Sequence, residues 1–564
     1  MTSNTEAGQI KGTAVVPGIA YAEAVWIRPR PELPTAGPVV EEEKRDGEFE
    51  RFSAAADTVA QRLTSRSESA EGAAKQVLSA TAGMVKDRGW RKAVKKNIAS
   101  GHPAEYAVVA ATTKFISMFE AAGGVMAERV TDLRDIRDRV IAELRGDEEP
   151  GLPAVDHPVV LLADDLSPAD TAALDTSLFT ALITELGGPT SHTAIIARQL
   201  NVPCIVAVGE KLHSIDAGAK VLIDGALGTV TTGADPAEAE KQVAEYKEFA
   251  QKVAQWRGPA KTKDGHRVQL LANVQDGNAA RVAKSTQAEG IGLFRTEMCF
   301  LSAQVEPSVE EQAAVYTKVL EQFPESKVVV RSLDAGSDKP VAFATMADEM
   351  NPALGVRGLR VARANEDLLT RQLDAIALAA KNLGRGDQAP TWVMAPMVAT
   401  AKEAKWFADL CKERGLIPGA MIEVPAAALM ADKIMPYLHF VSIGTNDLTQ
   451  YTMAADRLSP QLAYLTDPWQ PAVLRLIQRT CEEGKATDTA VGVCGEAAAD
   501  PFLACVLTGL GVNSLSAAAT AIAGVGAQLA ETDLETCKKA AAAALDAEGA
   551  AAAKEAARAV LLDS

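Results

Sequence analysis

The stretch AMIEVPAAALMADKIMPYLHFVSIGTNDL, residues 420–448, decides how the rest of the chain is read. It opens as a short apolar run, AMIEVPA (420–426), crosses an alanine-rich segment of helical texture and returns to a second apolar run, FVSIGTNDL (440–448). A short aliphatic strand, a helical stretch and another strand are the repeating unit of a parallel α/β fold. Both runs carry acidic or amide groups late, Glu423 in the first and Asn446 with Asp447 in the second.

Six further runs of the same kind flank this pair: VQLLANV (268–274), GIGLFRTE (290–297), VVVRSLD (328–334), WVMAPMV (392–398), AVGVCGEA (490–497) and NSLSAA (513–518). Helical stretches lie between most of them. Eight alternating units predict a (β/α)8 TIM barrel over 258–564, whose chemistry belongs at the C-terminal ends of the strands. Arg295, Arg331 and Cys494 also come late in their runs, so closing the barrel gathers them on one rim with Glu423, Asn446 and Asp447.

The first half of the chain has a different texture. A strand-like opening, Gly12 to Ala20, gives way to a helical run from Val40 to Gly146, interrupted near Gly101 and Gly123. From His157, short strands alternate with helical stretches (HPVVLLA, FTALITEL, TSHTAIIARQL, PCIVAVG, KVLIDGALGTV). A charged segment, Asp235 to Arg257, reads as a connecting helix stopped by Gly258 and Pro259. The expected organisation is therefore multidomain α/β. One α/β domain is made from 1–33 and 150–233, a helical bundle of 34–149 is inserted into it, a linker helix covers 234–257, and the barrel follows.

A chain of 564 residues with 48% hydrophobic and 23% charged content is globular and large enough for about three domains. Its net charge of -17 opposes nucleic acid and anionic lipid, so any anionic substrate needs a local site of arginine and metal. The seven cysteines are scattered singly, with no C-x-x-C pair, which fits a reducing cytoplasm. No basic leader with an apolar run opens the sequence, and nowhere do eighteen apolar residues follow one another, so a chain that is neither exported nor membrane-spanning is expected.

Arginine presents a planar donor fork to phosphate and carboxylate oxygens, so Arg295 and Arg331 on one rim suit a small ligand bearing both groups. Glu423 and Asp447 supply hard oxygens for Mg²⁺. Each residue also has a plainer reading. Arg295 with Glu297 makes a structural ion pair, Asn446 with Asp447 a turn or helix cap, and Cys494 a small buried hydrophobe. In GGPTSHTAIIAR, the glycines turn the chain and Thr190 or Ser191 caps a helix that starts near His192. An imidazole there, with an ordinary pKa of about 6.5, is nucleophilic at neutral pH, and the helix N-terminus accommodates a phosphoryl group. Its plainer reading is a surface histidine beside a cap.

GGPTSHTAIIAR resembles the phosphohistidine motif of Enzyme I of the phosphoenolpyruvate-dependent sugar phosphotransferase system, shared with pyruvate phosphate dikinase and phosphoenolpyruvate synthase. The segments GIGLFRTE, RSLDAGSDKP, NPALGVRGLR, AMIEVPAA, SIGTNDLTQYTMAADR and VGVCGEAAADP resemble successive motifs of the same family, so the resemblance spans essentially the whole chain. No glycine-rich ATP-binding module precedes the histidine domain, which favours the sugar branch over the dikinase and synthase.

The resemblance implies a phosphoenolpyruvate-protein phosphotransferase with a swivelling phosphohistidine domain. His192 is then the phosphorylated nucleophile, and Arg295, Arg331 and Arg457 surround phosphoenolpyruvate. Asn446 and Asp447 contact the substrate, Glu423 and Asp447 ligate Mg²⁺, and Cys494 protonates the enolate carbon to give pyruvate. The helical insert implies a docking domain for the phosphocarrier HPr, and the barrel a homodimer. Three departures touch the surroundings of these groups. Pro189 stands where many members carry Arg, Ser337 where Gly is common, and MCFLSAQ after RTE lacks the family's Asp-Arg. A reading from another class, a silent scaffold that binds HPr, leaves the thiol and the metal carboxylates without a purpose.

Overall fold

The computed structural model describes the chain except for residues 1–7, 36–38, 70–71, 123–128, 167–169, 171–173, 189–190, 301–302, 304, 337–340, 342, 346–348, 387–389 and 563–564. Two of the three departures from the family pattern, Pro189 and Ser337, lie outside the described residues, as does Gly123. The chain forms two compact units, Met1–Glu248 and Phe249–Ser564. The division falls inside one helix, Pro236–Gln255.

The first unit is built on a sheet of β1 (Gly8–Lys11), β2 (Thr13–Val16), β3 (Ile19–Trp26), β4 (Val159–Ala163), β5 (Phe179–Thr184), β6 (Cys204–Val206), β7 (Lys220–Asp224) and β8 (Thr229–Thr232). The strands lie in the order β1-β8-β7-β3-β4-β5-β6-β2. β3, β4, β5 and β6 run parallel, and the outer pairs are antiparallel. Every residue of β4, VVLLA, is buried, as expected of a strand covered on both faces.

The helical run expected from Val40 onward is inserted between β3 and β4. Its helices are Arg45–Ser69, Gly72–Val85, Arg88–Ala99, Ala104–Ala122 and Val130–Arg145. Arg88–Ala99 shows why they form. Asp87 accepts the Trp90 backbone N–H at 2.7 Å, and Trp90, Val94 and Ile98, four residues apart, form one buried stripe. Trp90 is buried among Phe52, Leu63 and Ile136, and its indole N–H donates to Thr112 Oγ1 at 3.0 Å, so its burial leaves no donor unpaired.

The last of these helices departs from expectation. DLRDIRDRVIAEL reads as a charged face open to solvent or to a docking protein, yet Asp132, Asp135, Asp138 and Arg139 are all buried. The Arg139 guanidinium donates to Asp135 (2.7 Å), Glu149 (2.5 Å) and Asp170 (2.8 Å), tying the helix to the segment after β4. Buried charges are tolerated because they are paired. A helix with inward ion pairs has the same charge pattern as one with an exposed charged face.

In the second unit, β9 (Gln269–Val274), β10 (Ile291–Arg295), β11 (Val328–Arg331), β12 (Thr391–Ala395), β13 (Ile417–Ile422), β14 (Phe440–Ile443), β15 (Ala490–Val493) and β16 (Ser514–Ala517) form a closed barrel of parallel neighbours. All eight expected strands are present, and the fold is the multidomain α/β architecture with an inserted helical bundle and a TIM barrel. The strands are shorter than the apolar runs suggest. β14 stops at Ile443, so Asn446 and Asp447 fall in the first turn of the helix Thr445–Met453.

Candidate active site

Arg295 and Arg331 are the last residues of β10 and β11 and face each other in register. Glu423 follows β13 directly, Cys494 follows β15, and the Asp447 helix follows β14. The C-terminal rim of the barrel thus brings together the residues predicted from the second half of the chain. His192 lies in the first unit, as the first residue of the helix His192–Leu200. Ser191 caps that helix, its Oγ accepting the Ala194 N–H at 3.2 Å.

The barrel rim is an ion network. Arg331 donates through Nη2 to Glu297 Oε1 at 2.6 Å and lies 3.3 Å from Asp334 Oδ2 through Nη1. Glu297 therefore pairs with Arg331 and not with Arg295. Among the described residues, Arg295 has no carboxylate partner, which leaves its guanidinium available to an anion. Arg357 reaches both sides of the rim, donating to Asp334 Oδ2 at 2.8 Å and to Asp447 Oδ1 at 2.9 Å. Arg457 Nη1 is 3.8 Å from Asp447 Oδ2, and its backbone N–H donates to Gln450 Oε1. Asn446 Oδ1 accepts the Glu496 N–H at 3.1 Å.

Glu423 is wholly buried. One of its oxygens accepts the Met397 N–H at 2.6 Å; the other, Oε2, has no partner among the described residues. Met397 aims its N–H by adopting a left-handed backbone, φ 59°. Gly358, also left-handed at φ 57°, must be glycine, since a Cβ there would lie 2.9 Å from the Met397 side chain. Burial raises the Glu423 pKa, and the nearby Asp447 and Asp334 charges raise it further against the pull of Arg331 and Arg357. Two buried guanidiniums, Arg331 and Arg357, face four buried carboxylates, Glu297, Asp334, Glu423 and Asp447. With Arg457 also 3.8 Å from Asp447, it is the orphaned Glu423 oxygen beside other carboxylates that fits a divalent cation with oxygen ligands.

Cys494 is buried among Leu293, Met394, Met421 and Phe440. Burial pushes its thiol up to about 11, with the Ser442 hydroxyl acting the other way, so it holds its proton at neutral pH. A thiol in this state suits an acid and not a metal ligand or nucleophile.

Arg357 escapes the strand-end reading, and Asp334, though it ends the run VVVRSLD, is not singled out by it. Both lie in loops beyond β11, within the segments NPALGVRGLR and RSLDAGSDKP, and only the repeated glycines around Arg357 signal a special backbone there. The third departure, MCFLSAQ, begins with a short 3-10 turn, Glu297–Cys299, that seats Glu297 against Arg331.

A rim of arginines and acidic oxygens is the equipment of enzymes that handle small phosphorylated acids. The family described as PEP-utilising enzyme, PEP-binding domain matches residues 250–534. Its companions, the N-terminal domain and the mobile domain of PEP-utilising enzymes, match 11–129 and 155–228. The chain is 46% identical to the phosphoenolpyruvate-protein phosphotransferase of Streptomyces coelicolor, over 98% of this chain and 99% of that one. It is 38% identical to the protein of the same name from Haloferax volcanii, over 93% and 94%. The chain therefore belongs to the phosphoenolpyruvate-protein phosphotransferase family of PEP-utilising enzymes. A solved structure titled "NMR solution structure of Enzyme I (nEIt) protein using two 4D-spectra" is similar over 42% of this chain and 99% of its own, at 28% identity and a TM-score of 0.39. Among the described residues, no helix is long and apolar enough to cross a membrane.

Proposed function

We propose that the chain takes the phosphoryl group of phosphoenolpyruvate onto His192 and passes it to a histidine of the phosphocarrier HPr, releasing pyruvate, as the first step of a sugar phosphotransferase system. The observation that carries this reading is the orphaned, buried Glu423 carboxylate beside Asp447 and Asp334, facing Arg331 and Arg357. Such a site is ready for a cation and a multiply charged anion together.

In the proposed reaction, Arg295, Arg331 and Arg457 hold the phosphate and carboxylate, and Asn446 and Asp447 orient the substrate. Glu423 and Asp447 hold Mg²⁺, which when bound neutralises charge on the transferring phosphoryl group. The bond between phosphorus and the enol oxygen breaks as the His192 imidazole nitrogen bonds to phosphorus. The N-terminus of the Ser191-capped helix offers N–H groups to the phosphohistidine. Cys494 gives its proton to C3 of the enolate, completing pyruvate, and its thiolate then recovers a proton from solvent.

The rest of the reading rests on family resemblance. The 34–149 helical bundle docks HPr, the α/β domain of 1–33 and 150–233 swivels between HPr and the barrel, and 234–257 links them. The chain works in the cytoplasm as a homodimer joined through the barrel. Incubation with phosphoenolpyruvate, Mg²⁺ and HPr in one tube tests the whole: pyruvate and phospho-HPr should appear in equal amounts. Pyruvate without phospho-HPr would leave a phosphatase in its place.

A further inference from the structure

Cys494 is held more closely than a small core residue requires. Its backbone N–H donates to Ile443 O on β14 at 3.0 Å, continuing the ladder past the end of β15. Its sulfur lies 3.6 Å from the same carbonyl. The carbonyl of Cys494 accepts from the other side: Asn273 Nδ2, on β9, donates to it at 3.2 Å and to Ser516 O on β16 at 3.1 Å. Ser516 Oγ in turn donates to Asn273 Oδ1 at 2.6 Å. The two carbonyls can only accept, so they fix which end of the amide carries the hydrogens, and the Ser516 hydroxyl is left to donate to the other end.

The surroundings make this clamp the main source of order. Apart from the Ser442 hydroxyl, which hydrogen-bonds the thiol, the side chains around it are the apolar Leu293, Val329, Met394, Met421 and Phe440, and two of them are flexible thioethers. Such a wall fills space without directing a proton. Residues after Cys494 turn away through Gly495, where a Cβ would collide with Thr445 Oγ1. The position of Cys494 is thus held by hydrogen bonds to β14, which neighbours β15, and from β9, one strand further round the barrel.

We propose that Asn273, oriented by Ser516, is a positioning residue that aims the Cys494 thiol at one face of the enolate, so that the carbon proton is delivered stereospecifically. This rests on the reading of Cys494 as the acid. In the step, the S–H bond breaks and a C–H bond forms at C3, leaving thiolate and pyruvate. Asn273 gains and loses nothing. Its contribution is geometric, and a displacement of about 1 Å is enough to cost on the order of 10²-fold in rate.

The test uses the full-length protein with HPr, Mg²⁺ and phosphoenolpyruvate carrying deuterium at one C3 position, in tritiated water, followed by analysis of methyl chirality in the pyruvate. The parent should give one methyl configuration. Asn273→Ala should lower kcat for pyruvate release by about ten-fold or more, a fraction of what general acid catalysis supplies, with KM for phosphoenolpyruvate within about two-fold and a scrambled methyl. Ser516→Ala, which leaves Cys494 and its partners in place, should scramble partly and serves if Asn273→Ala does not fold. Retained methyl chirality in both variants, or in Ser516→Ala alone if only it folds, would overturn the clamp. Cys494→Ala is run alongside: unchanged rate and chirality there would remove the acid itself, whereas a fall there with no effect in the clamp variants removes only the role of Asn273.

Discussion

Arg357 Nη1 lies 2.9 Å from Asp447 Oδ1, joining a loop beyond β11 to the helix after β14 across the barrel rim. Through its other nitrogens the same guanidinium holds Asp334. It is the bridge on which the acidic side of the rim depends.

Replacing Arg357 by Met should take the nearer guanidinium from both Asp334 and Asp447, leaving Arg331 at 3.3 Å from the first and Arg457 at 3.8 Å from the second. Breaking a buried ion pair from one side costs about 3–5 kcal/mol, so urea unfolding of the barrel unit should move by that amount in the absence of divalent metal. Added Mg²⁺ should restore more stability to this variant than to the parent, because the cation then offsets a larger excess of negative charge. Equal Mg²⁺ effects on parent and variant would contradict the electrostatic account of the rim.

Lys327, just before β11 at the other end of the barrel, gives a pH-dependent prediction away from the site. Its ammonium lies 4.2 Å from the Trp392 ring and 5.1 Å from Phe440, and burial pushes its pKa down to about 8. Between about pH 8 and the unfolded value of about 10.4, the unfolded chain holds a proton that the native protein has lost, so this residue makes stability rise with pH across that window. Below it, a charged ammonium is buried at full cost. Lys327→Met should therefore be more stable than the parent at pH 7, by up to about 3 kcal/mol at 1.36 kcal/mol per pKa unit. Its advantage should vanish by about pH 10.5. Denaturation curves at pH 7, 9 and 10.5 measure the closing gap, and a constant difference would contradict it.

Asp135→Lys places a second cation against the buried Arg139 guanidinium, 2.7 Å from the present carboxylate oxygen. The expected outcome is loss of about 3 kcal/mol or more from the first unit, read by urea unfolding of the full chain. Native stability with selective loss of phosphoryl transfer to HPr would instead make this helix a docking face.

The barrel strands were legible because each is a short apolar run separated from the next by a stretch of helical texture, and the polar residues late in several of the runs came with them. Asn446 and Asp447 were read into the strand because FVSIGTNDL has no proline or charged residue before Asp447 to mark a stop, although the chain turns at Gly444 and starts a helix at Thr445. Arg357 was not legible by that rule, since a loop can bring any residue to the rim and no periodicity marks which, whereas Asp334 closes the run VVVRSLD and only its pairing with Arg357 was hidden. The pairing of Glu297 with Arg331 was hidden for a related reason: neighbours in sequence suggest partners, whereas the strand register puts Arg331 across from Arg295 and within reach of Glu297. The helix that begins at His192 was legible from local chemistry, because the serine before it caps that helix, whereas the role given to the histidine came only with the family resemblance.

In the proposed reaction His192 carries the phosphoryl group. Incubating the chain with phosphoenolpyruvate labelled in its phosphate, with and without Mg²⁺, and treating the product with acid and with base tests it most directly. The label should require Mg²⁺, be lost in acid, survive base, and be absent from the His192→Ala variant, which should still fold and bind phosphoenolpyruvate. A covalent label of undiminished amount on His192→Ala would contradict it.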